Sequence, residues 1–434
     1  MATNPIPQFP AGFLWGVSTS AHQIEGAADL RAPSVWDAFT AEPGRVKDGS
    51  TAAVACDHYH RYREDVALLA DLGVDAYRFS VSWPRVDSPG GLDFYDRLVD
   101  ELCAAGIRPV ATLFHWDLPV GLDWLRRETA ERFAQYTAAV AARLGDRVGT
   151  WLTLNEPAEH TLLGHALGAH APGRQLLFDA LPAAHHQLLG HGLAVRALRA
   201  AGATDIGIAN SHGPTWPASH AAEDLEAAAF YDILLNRLFA DPLLLGRYPE
   251  GIDALMPGDV EADLKVIAEP IDRYGVNYYA PTRVGAPQGD EIEFGGLTLP
   301  AELPFSVREI EDRPVTDFGW PVVPEGLTEL LTGLRDRYGD RLPPVVITEN
   351  GCSYPGLDDQ DRIGYLDGHI RALHDALAAG VDVRGYFVWS LLDNFEWAEG
   401  YARRFGLVHV DFATLERTPK ASYGWFREVL RAQR

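Results

Sequence analysis

The chain has 434 residues, 47% of them hydrophobic and 23% charged, enough apolar surface for a large core. Only 37 Lys plus Arg stand against 61 Asp plus Glu, a formal net charge of −24. That balance argues against nucleic acid or an anionic membrane as a partner, because phosphate binding needs clustered positive charge. The three cysteines, Cys56, Cys103 and Cys352, make no CxxC pair, which speaks against a zinc knuckle or redox motif. The N-terminal "MATNPIPQFPAGF" has neither a basic n-region nor an apolar h-region, and no apolar run reaches membrane-spanning length. The expected location is the cytoplasm.

In chain order, strand-like and helix-like segments alternate. "FLWGVSTS" from Phe13 is the first strand, and "YHRYREDVALLADLG" the first long helix, with Val66, Leu69 and Leu72 on one face and Gly73 as its stop. "AYRFSVSW" from Ala76 is followed by the helical "GLDFYDRLVDELCAAG", which stops at Gly106. "RPVATLFHW" from Arg108 precedes "RETAERFAQYTAAVAARLG", a helix with Thr129 and Arg132 at its start and Gly145 at its end. Three further strands begin at Thr150 ("TWLTLNE"), Asp205 ("DIGIANSH") and Arg273 ("RYGVNYYA"). An irregular stretch from about Gly285 to Pro324 reads as a long excursion from strand to helix. "PPVVITEN" from Pro343, the helical "RIGYLDGHIRALHDALAAG" and "VRGYFVWS" from Val383 complete the series. Eight strands alternating with helices imply a parallel sheet. The length, and the lack of GxGxxG after the first strand, favour a closed α/β (β/α)8 TIM barrel, a single domain over residues 1–434.

The residues at the strand ends carry the chemistry. Gln23 follows the first strand and Arg78 lies within the second. His115 and Trp116 close the third, Asn155 and Glu156 the fourth, Asn277 and Tyr279 the sixth, Glu349 the seventh and Trp389 the eighth. In such a barrel these ends converge on one pocket. The two carboxylates suit glycosidic bond cleavage: one acid protonates the departing oxygen, and the other attacks the anomeric carbon or activates water. At a separation of about 5–5.5 Å the second is a nucleophile and configuration is retained. Like-charge repulsion then raises the pKa of the acid, and Arg78 beside Glu349 keeps that carboxylate ionised. Gln, His and Asn offer directional hydrogen bonds to hydroxyls, and tryptophans offer flat faces to a pyranose ring. Any one of these residues alone reads as a cap, an ion-pair partner or core; their shared position is the signal. Metal-dependent hydrolysis is the competing chemistry, but the HxH of His58 and His60 precedes a helix, and His185 and His186 fall in a helical stretch. No metal or other cofactor is expected.

"TLNEP" (Thr153 to Pro157) and "ITENG" (Ile347 to Gly351) resemble the two signatures of the family 1 glycoside hydrolases, the β-glucosidase family. "FLWGVSTSAHQIEG", "FHWDLP", "HAPG", "GVNYY" and "NFEWAEGYARRFG" resemble the same family in its usual order, so the likeness covers essentially the whole chain. It implies a retaining, metal-free mechanism on small-molecule β-glycosides. Glu156 is then the acid/base and Glu349 the nucleophile, with Arg78, Tyr279 and Asn277 supporting the latter. Asn155 holds the 2-hydroxyl. Gln23, His115, Glu396 and Trp397 bind further hydroxyls, Trp389 forms the ring platform, and Trp116 and Phe405 complete the sugar pocket. Glu396, together with Phe405 where phosphoglycosidases of the family have a tyrosine, implies unphosphorylated sugars. A glutamate at position 156 implies ordinary O-glycosides.

The outer pocket departs from the family. After "NEP" a tryptophan is usual; here Ala158, Glu159, His160 and Thr161 follow, and several loops look short. His170 and Trp320, typical contacts of the leaving group, remain. The expectation is a conventional sugar site with an unusual aglycone site in which Ala158, Glu159 and His160 take part. Transfer of the sugar to an acceptor alcohol is the alternative to hydrolysis. A non-catalytic sugar-binding relative would have lost one carboxylate.

Overall fold

Eight parallel strands close into a barrel in the computed structural model, which describes residues 5–294 and 297–434. They are β1 Leu14–Ser18, β2 Ala76–Ser80, β3 Arg108–Phe114, β4 Thr150–Asn155, β5 Ile206–Ser211, β6 Arg273–Asn277, β7 Val345–Asn350 and β8 Val383–Trp389. Each pairs with its sequence neighbours, and β1 closes on β8 with Ser18 opposite Trp389. The intervening long helices include α1 His58–Leu72, α2 Gly91–Ala104, α3 Arg127–Leu144, α4 Leu181–Ala200, α5 Pro324–Tyr338 and α6 Gln360–Ala378. Gly73 does end α1 in the left-handed conformation, at φ +83°. Gly145 does not: its φ of −66° is ordinary helix, so α3 stops without a left-handed cap.

The side-chain alternation of a strand decides what fills the barrel. Its lower interior is an apolar layer of Ala76, Val110, Leu152, Ala209, Val346 and Phe387. Phe387 needs room, and Gly16 on β1 supplies it: a Cβ there would lie 2.3 Å from the ring. Two residues further along the same faces come Arg78, Thr112, Thr348 and Trp389, so the interior turns from apolar to polar at the C-terminal end.

Strict alternation would not aim every site residue inward. Strand β4 slips in register against β5 between Leu152 and Asn155, and β7 slips against β6 between Ile347 and Glu349. A bulge re-aims the side chains after it. Thus Leu154 joins the outer core while Asn155 turns inward, and Glu349 turns inward beside Thr348.

The irregular stretch is an excursion between β6 and α5. Thr282–Gly285 and Ser306–Arg308 form a small sheet with Thr215–Pro217, and Ile292–Phe294 pairs with Leu297–Leu299. Part of the expected excursion, residues 295–296, lies outside the described residues. Among the described residues, no helix is long and apolar enough to cross a membrane.

Candidate active site

Arg78 organises the floor of the cavity. It is fully buried, and its planar guanidinium is held at three edges. Nη1 donates to Glu349 Oε1 at 2.5 Å and to the Thr348 carbonyl at 3.1 Å, Nη2 to Asn155 Oδ1 at 2.6 Å, and Nε to Thr112 Oγ1 at 3.1 Å. The other oxygen of Glu349 accepts from the Tyr279 hydroxyl at 2.8 Å. Glu349 thus has a cation on one oxygen and a phenol on the other, a fixed orientation typical of a charge-assisted pair.

Glu156 is held differently. Asn277 Nδ2 donates to its Oε1 at 2.8 Å and Asn155 Nδ2 to its Oε2 at 3.2 Å. Thr348 Oγ1 donates to Asn277 Oδ1 at 2.6 Å and so fixes that amide. Glu156 has a left-handed backbone, φ +44°, as do Trp116 at +74° and Trp397 at +49°. With Leu177 at +47°, four non-glycine residues in this strained region line one cavity, a mark of a functional site.

Burial, then the charges of Glu349 and Glu159, push the Glu156 carboxyl well above the usual carboxylate range. Burial also raises Glu349, but Arg78, Tyr279 and Asn277 oppose it. The pair titrates together. The proton therefore rests on Glu156 and the charge on Glu349. Burial, with Glu349 and Glu399 adding to it, pushes Glu396 up to about 8. At neutral pH Glu396 presents mostly a carboxylic acid.

These shifts give a stability prediction. A carboxyl whose folded pKa lies above its unfolded value of about 4.3 contributes stability below that pH and loses it as pH rises through the folded pKa. Glu156→Gln removes this loss. The melting temperature of Glu156→Gln relative to the unsubstituted protein should therefore climb as pH rises from about 4 into the alkaline range, as thermal unfolding in matched buffers would record; a constant or shrinking difference would contradict the raised pKa.

The cavity above this floor measures about 620 Å³, within the range of small-molecule sites. Its inner wall includes His115, Trp116, Glu156, Tyr279, Glu349, Trp389, Glu396, Trp397 and Phe405. His115 stacks on Trp389 and on Trp397, with interplanar angles of 19° in both cases. Its imidazole is held neutral by burial and by Arg78. Not every expected sugar contact reaches the wall. Gln23 and Asn155 are fully buried behind it, as is Asn277, the expected support of Glu349. Gln23 Oε1 accepts from Ser20, and its amide donates to Asn394 Oδ1, to the Phe395 carbonyl and, at 3.4 Å, to Glu396 Oε2. Trp116 gives its indole N–H to the Asn155 carbonyl.

The outer wall differs more from expectation. His170, Trp320 and Glu159 line it, but Ala158 and His160 do not. Ala158 packs into the core, and the His160 ring lies edge-on to Phe114 and His165. The chain after Glu156 is a short helix, Pro157–Glu159, followed by a π-helical segment, His160–Ala166. That winding turns positions 158 and 160 inward and presents Glu159, Thr161, Leu162 and Leu163 to the cavity. A second π-helical segment, Ile233–Arg237, adds Leu234 and Leu235. Sequence reading missed these leucines, and missed Phe318, which stacks on Trp320 with ring centres 4.3 Å apart. The i, i+2 aromatic pair in "DFGW" was the available signal for Phe318; the leucines had none.

The four histidines weighed as metal ligands are engaged otherwise. His58 bonds Asp65 and His60 bonds Asp57; His185 bonds Tyr248 and Asp263, and His186 meets the Trp124 carbonyl. Among the described residues, no group of three His, Cys, Asp or Glu side chains is arranged to hold a metal.

Known proteins resemble this chain over nearly its whole length. Thermostable beta-glucosidase B of Thermobispora bispora is 46% identical over 98% of this chain and 90% of its own length. The crystal structure of a psychrophilic beta-glucosidase from Micrococcus antarcticus superposes with a TM-score of 0.94 at 44% identity, covering 100% of both chains. The family 1 beta-glucosidase structure from Thermotoga maritima gives 0.92 at 41% identity, over 99% of both. The model of glycosyl hydrolase family 1 matches residues 6–434, and the chain belongs to that family.

Proposed function

We infer that the protein is a retaining β-glucosidase, with the whole chain acting as one catalytic domain. The observation that carries the reading is the unequal treatment of two facing carboxyls: Arg78 and Tyr279 hold Glu349 as an oriented carboxylate, and burial keeps the proton on Glu156. In the first step a Glu349 oxygen bonds the anomeric carbon, the glycosidic C–O bond breaks, and Glu156 gives its proton to the leaving oxygen. In the second step Glu156 takes a proton from water, the water oxygen bonds the same carbon, and Glu349 leaves. Two inversions return the β configuration. Proton NMR of the first turnovers on an aryl β-glucoside should detect β-glucose before mutarotation; initial α-glucose would refute the double displacement.

Unphosphorylated sugars fit a cavity lined by Glu156, Glu159, Glu349, Glu396 and Glu399. Of the two cations on its wall, Lys47 is paired with Glu399 and Arg45 with Glu42. Glu396 repels a phosphate less than a full carboxylate would, because it is mostly neutral at pH 7. The unusual aglycone preference rests on the leucine-rich outer wall, which offers little to a second sugar ring. Bulky apolar glucosides should be hydrolysed with a kcat/KM about tenfold or more above that for cellobiose, since each buried methylene contributes about 0.8 kcal/mol. A preference for cellobiose in side-by-side kinetics would sink the idea. The same wall can retain an acceptor alcohol, so product analysis with added alcohol tests sugar transfer as the second reading.

A further inference from the structure

In the chemistry above Glu159 acts only through its charge on Glu156, yet its carboxyl faces the cavity. It lies three residues, about one turn, beyond the N-cap Glu156, near enough for its charge to act on the Glu156 carboxyl. Glu156 must touch the oxygen that joins sugar to leaving group. A group one turn further out therefore faces the leaving group and not the sugar.

Its surroundings are unlike those of the paired carboxylates on the wall, Glu349 and Glu399, and closer to those of Glu396, which likewise has one side-chain donor, at 3.4 Å. Glu349 has Arg78 and Tyr279, Glu396 has the Gln23 amide, and Glu399 has Lys47 and Arg403. Glu159, half-buried, has a single donor among the described residues, the Ser211 hydroxyl at 3.1 Å. The cavity wall also carries Leu162, Leu234 and the Tyr231 ring, the last close to the Glu159 charge. With one protein partner, its carboxyl keeps acceptor capacity open to the cavity, where a ligand can supply a donor. Withdrawal from water raises its pKa.

We propose that Glu159 is a specificity-determining residue that selects leaving groups carrying a hydrogen-bond donor, hydroxyl or ammonium, on an otherwise apolar body. This rests on the β-glucosidase reading. The donor is received by Glu159 and the apolar body by the leucines around it. Ser211 holds one carboxylate oxygen, and the carboxyl lines the cavity that receives the leaving group.

The test uses three phenyl β-glucosides, substituted at the para position with methyl, hydroxymethyl or aminomethyl. The kcat/KM ratio of each donor substrate to the methyl one is compared between the unsubstituted enzyme, Glu159→Gln and Glu159→Leu. Comparing ratios cancels leaving-group electronics and any general effect on Glu156. Glu159→Leu should lower at least one donor ratio about tenfold, the scale of a hydrogen bond to a charged group. Glu159→Gln should keep the hydroxymethyl ratio if the natural donor is a hydroxyl, and lose the aminomethyl ratio if it is an ammonium. Unchanged ratios in both variants, with the methyl substrate still cleaved, would overturn the role of Glu159 and leave the glucosidase reading standing. Folded enzyme that cleaves none of the three would overturn both.

Discussion

Glu349→Gly should abolish hydrolysis of β-glucosides, lowering kcat by roughly 10⁵-fold or more, the scale reached when a nucleophile working as part of a unit is lost. The fold should survive, because Arg78 keeps Asn155, Thr112 and the Thr348 carbonyl as partners, and water can fill the space vacated at Nη1. The space also admits a small anion. With an activated dinitrophenyl β-glucoside and added azide, a nitrogen of azide should bond the anomeric carbon from the face that Glu349 occupied. The aryl oxygen leaves, and the product is the α-glucosyl azide, formed by one inversion where the native enzyme makes two. The anomeric coupling constant in proton NMR reports the outcome. Wild-type turnover in Glu349→Gly, or a rescued product of β configuration, would assign the nucleophile elsewhere. The Arg78 partnership makes the position specific: azide meets a guanidinium already aimed at a negative charge.

The sequence made the barrel legible because burial on both faces leaves continuous apolar strands, and all eight fell where they were read. Glu156 and Glu349 were legible because each closes such a strand with a carboxylate. Distances across the barrel were not. Arg78 meets Glu349 across 271 positions of chain, and Asn277 meets Glu156 across 121. On sequence alone the shared strand ends already put Arg78 beside Glu349, but Asn277 was expected to support Glu349, while its amide donates to Glu156 and Asn155. The outer wall was read least well. Which of Ala158, Glu159 and His160 faces the cavity depends on the winding after Glu156, and a π-helical turn changes the angle between successive side chains. Gln23 and Asn155 were expected to touch the sugar, and their amides also bond neighbouring protein groups. Residue type predicts hydrogen-bonding capacity and says nothing about who takes it up.

Arg78→Met should be the most damaging change outside the two carboxylates. The thioether fills part of the guanidinium's volume but donates no hydrogen bond and carries no charge. Glu349 would then be buried with the Tyr279 hydroxyl as its remaining strong donor, and Asn155 Oδ1 would keep only Asn277. Removing one partner of a buried ion pair costs about 3–5 kcal/mol, most of it the stranded charge. The sign of the pH dependence follows. Arg78 holds the Glu349 pKa down, so its loss lets burial raise that pKa further. In the variant, then, stability should recover toward acid pH, where Glu349 takes up a proton, and fall as pH rises through its folded pKa. Activity should show the complementary change. The acidic limb of the kcat/KM profile reports ionisation of the nucleophile and should move to higher pH. On the alkaline side of that limb, kcat should still be lower by about 10²–10³-fold, because the lost contact also oriented the attacking oxygen. Arg78→Lys separates the two effects. An ammonium restores charge near Glu349 but cannot hold Glu349 and Asn155 together as the planar fork does. Its acidic limb should therefore lie close to that of the unsubstituted enzyme, while kcat stays depressed. If Arg78→Met left the acidic limb in place, Glu349 would not depend on Arg78 for its charge, and the bond at 2.5 Å would be only structural.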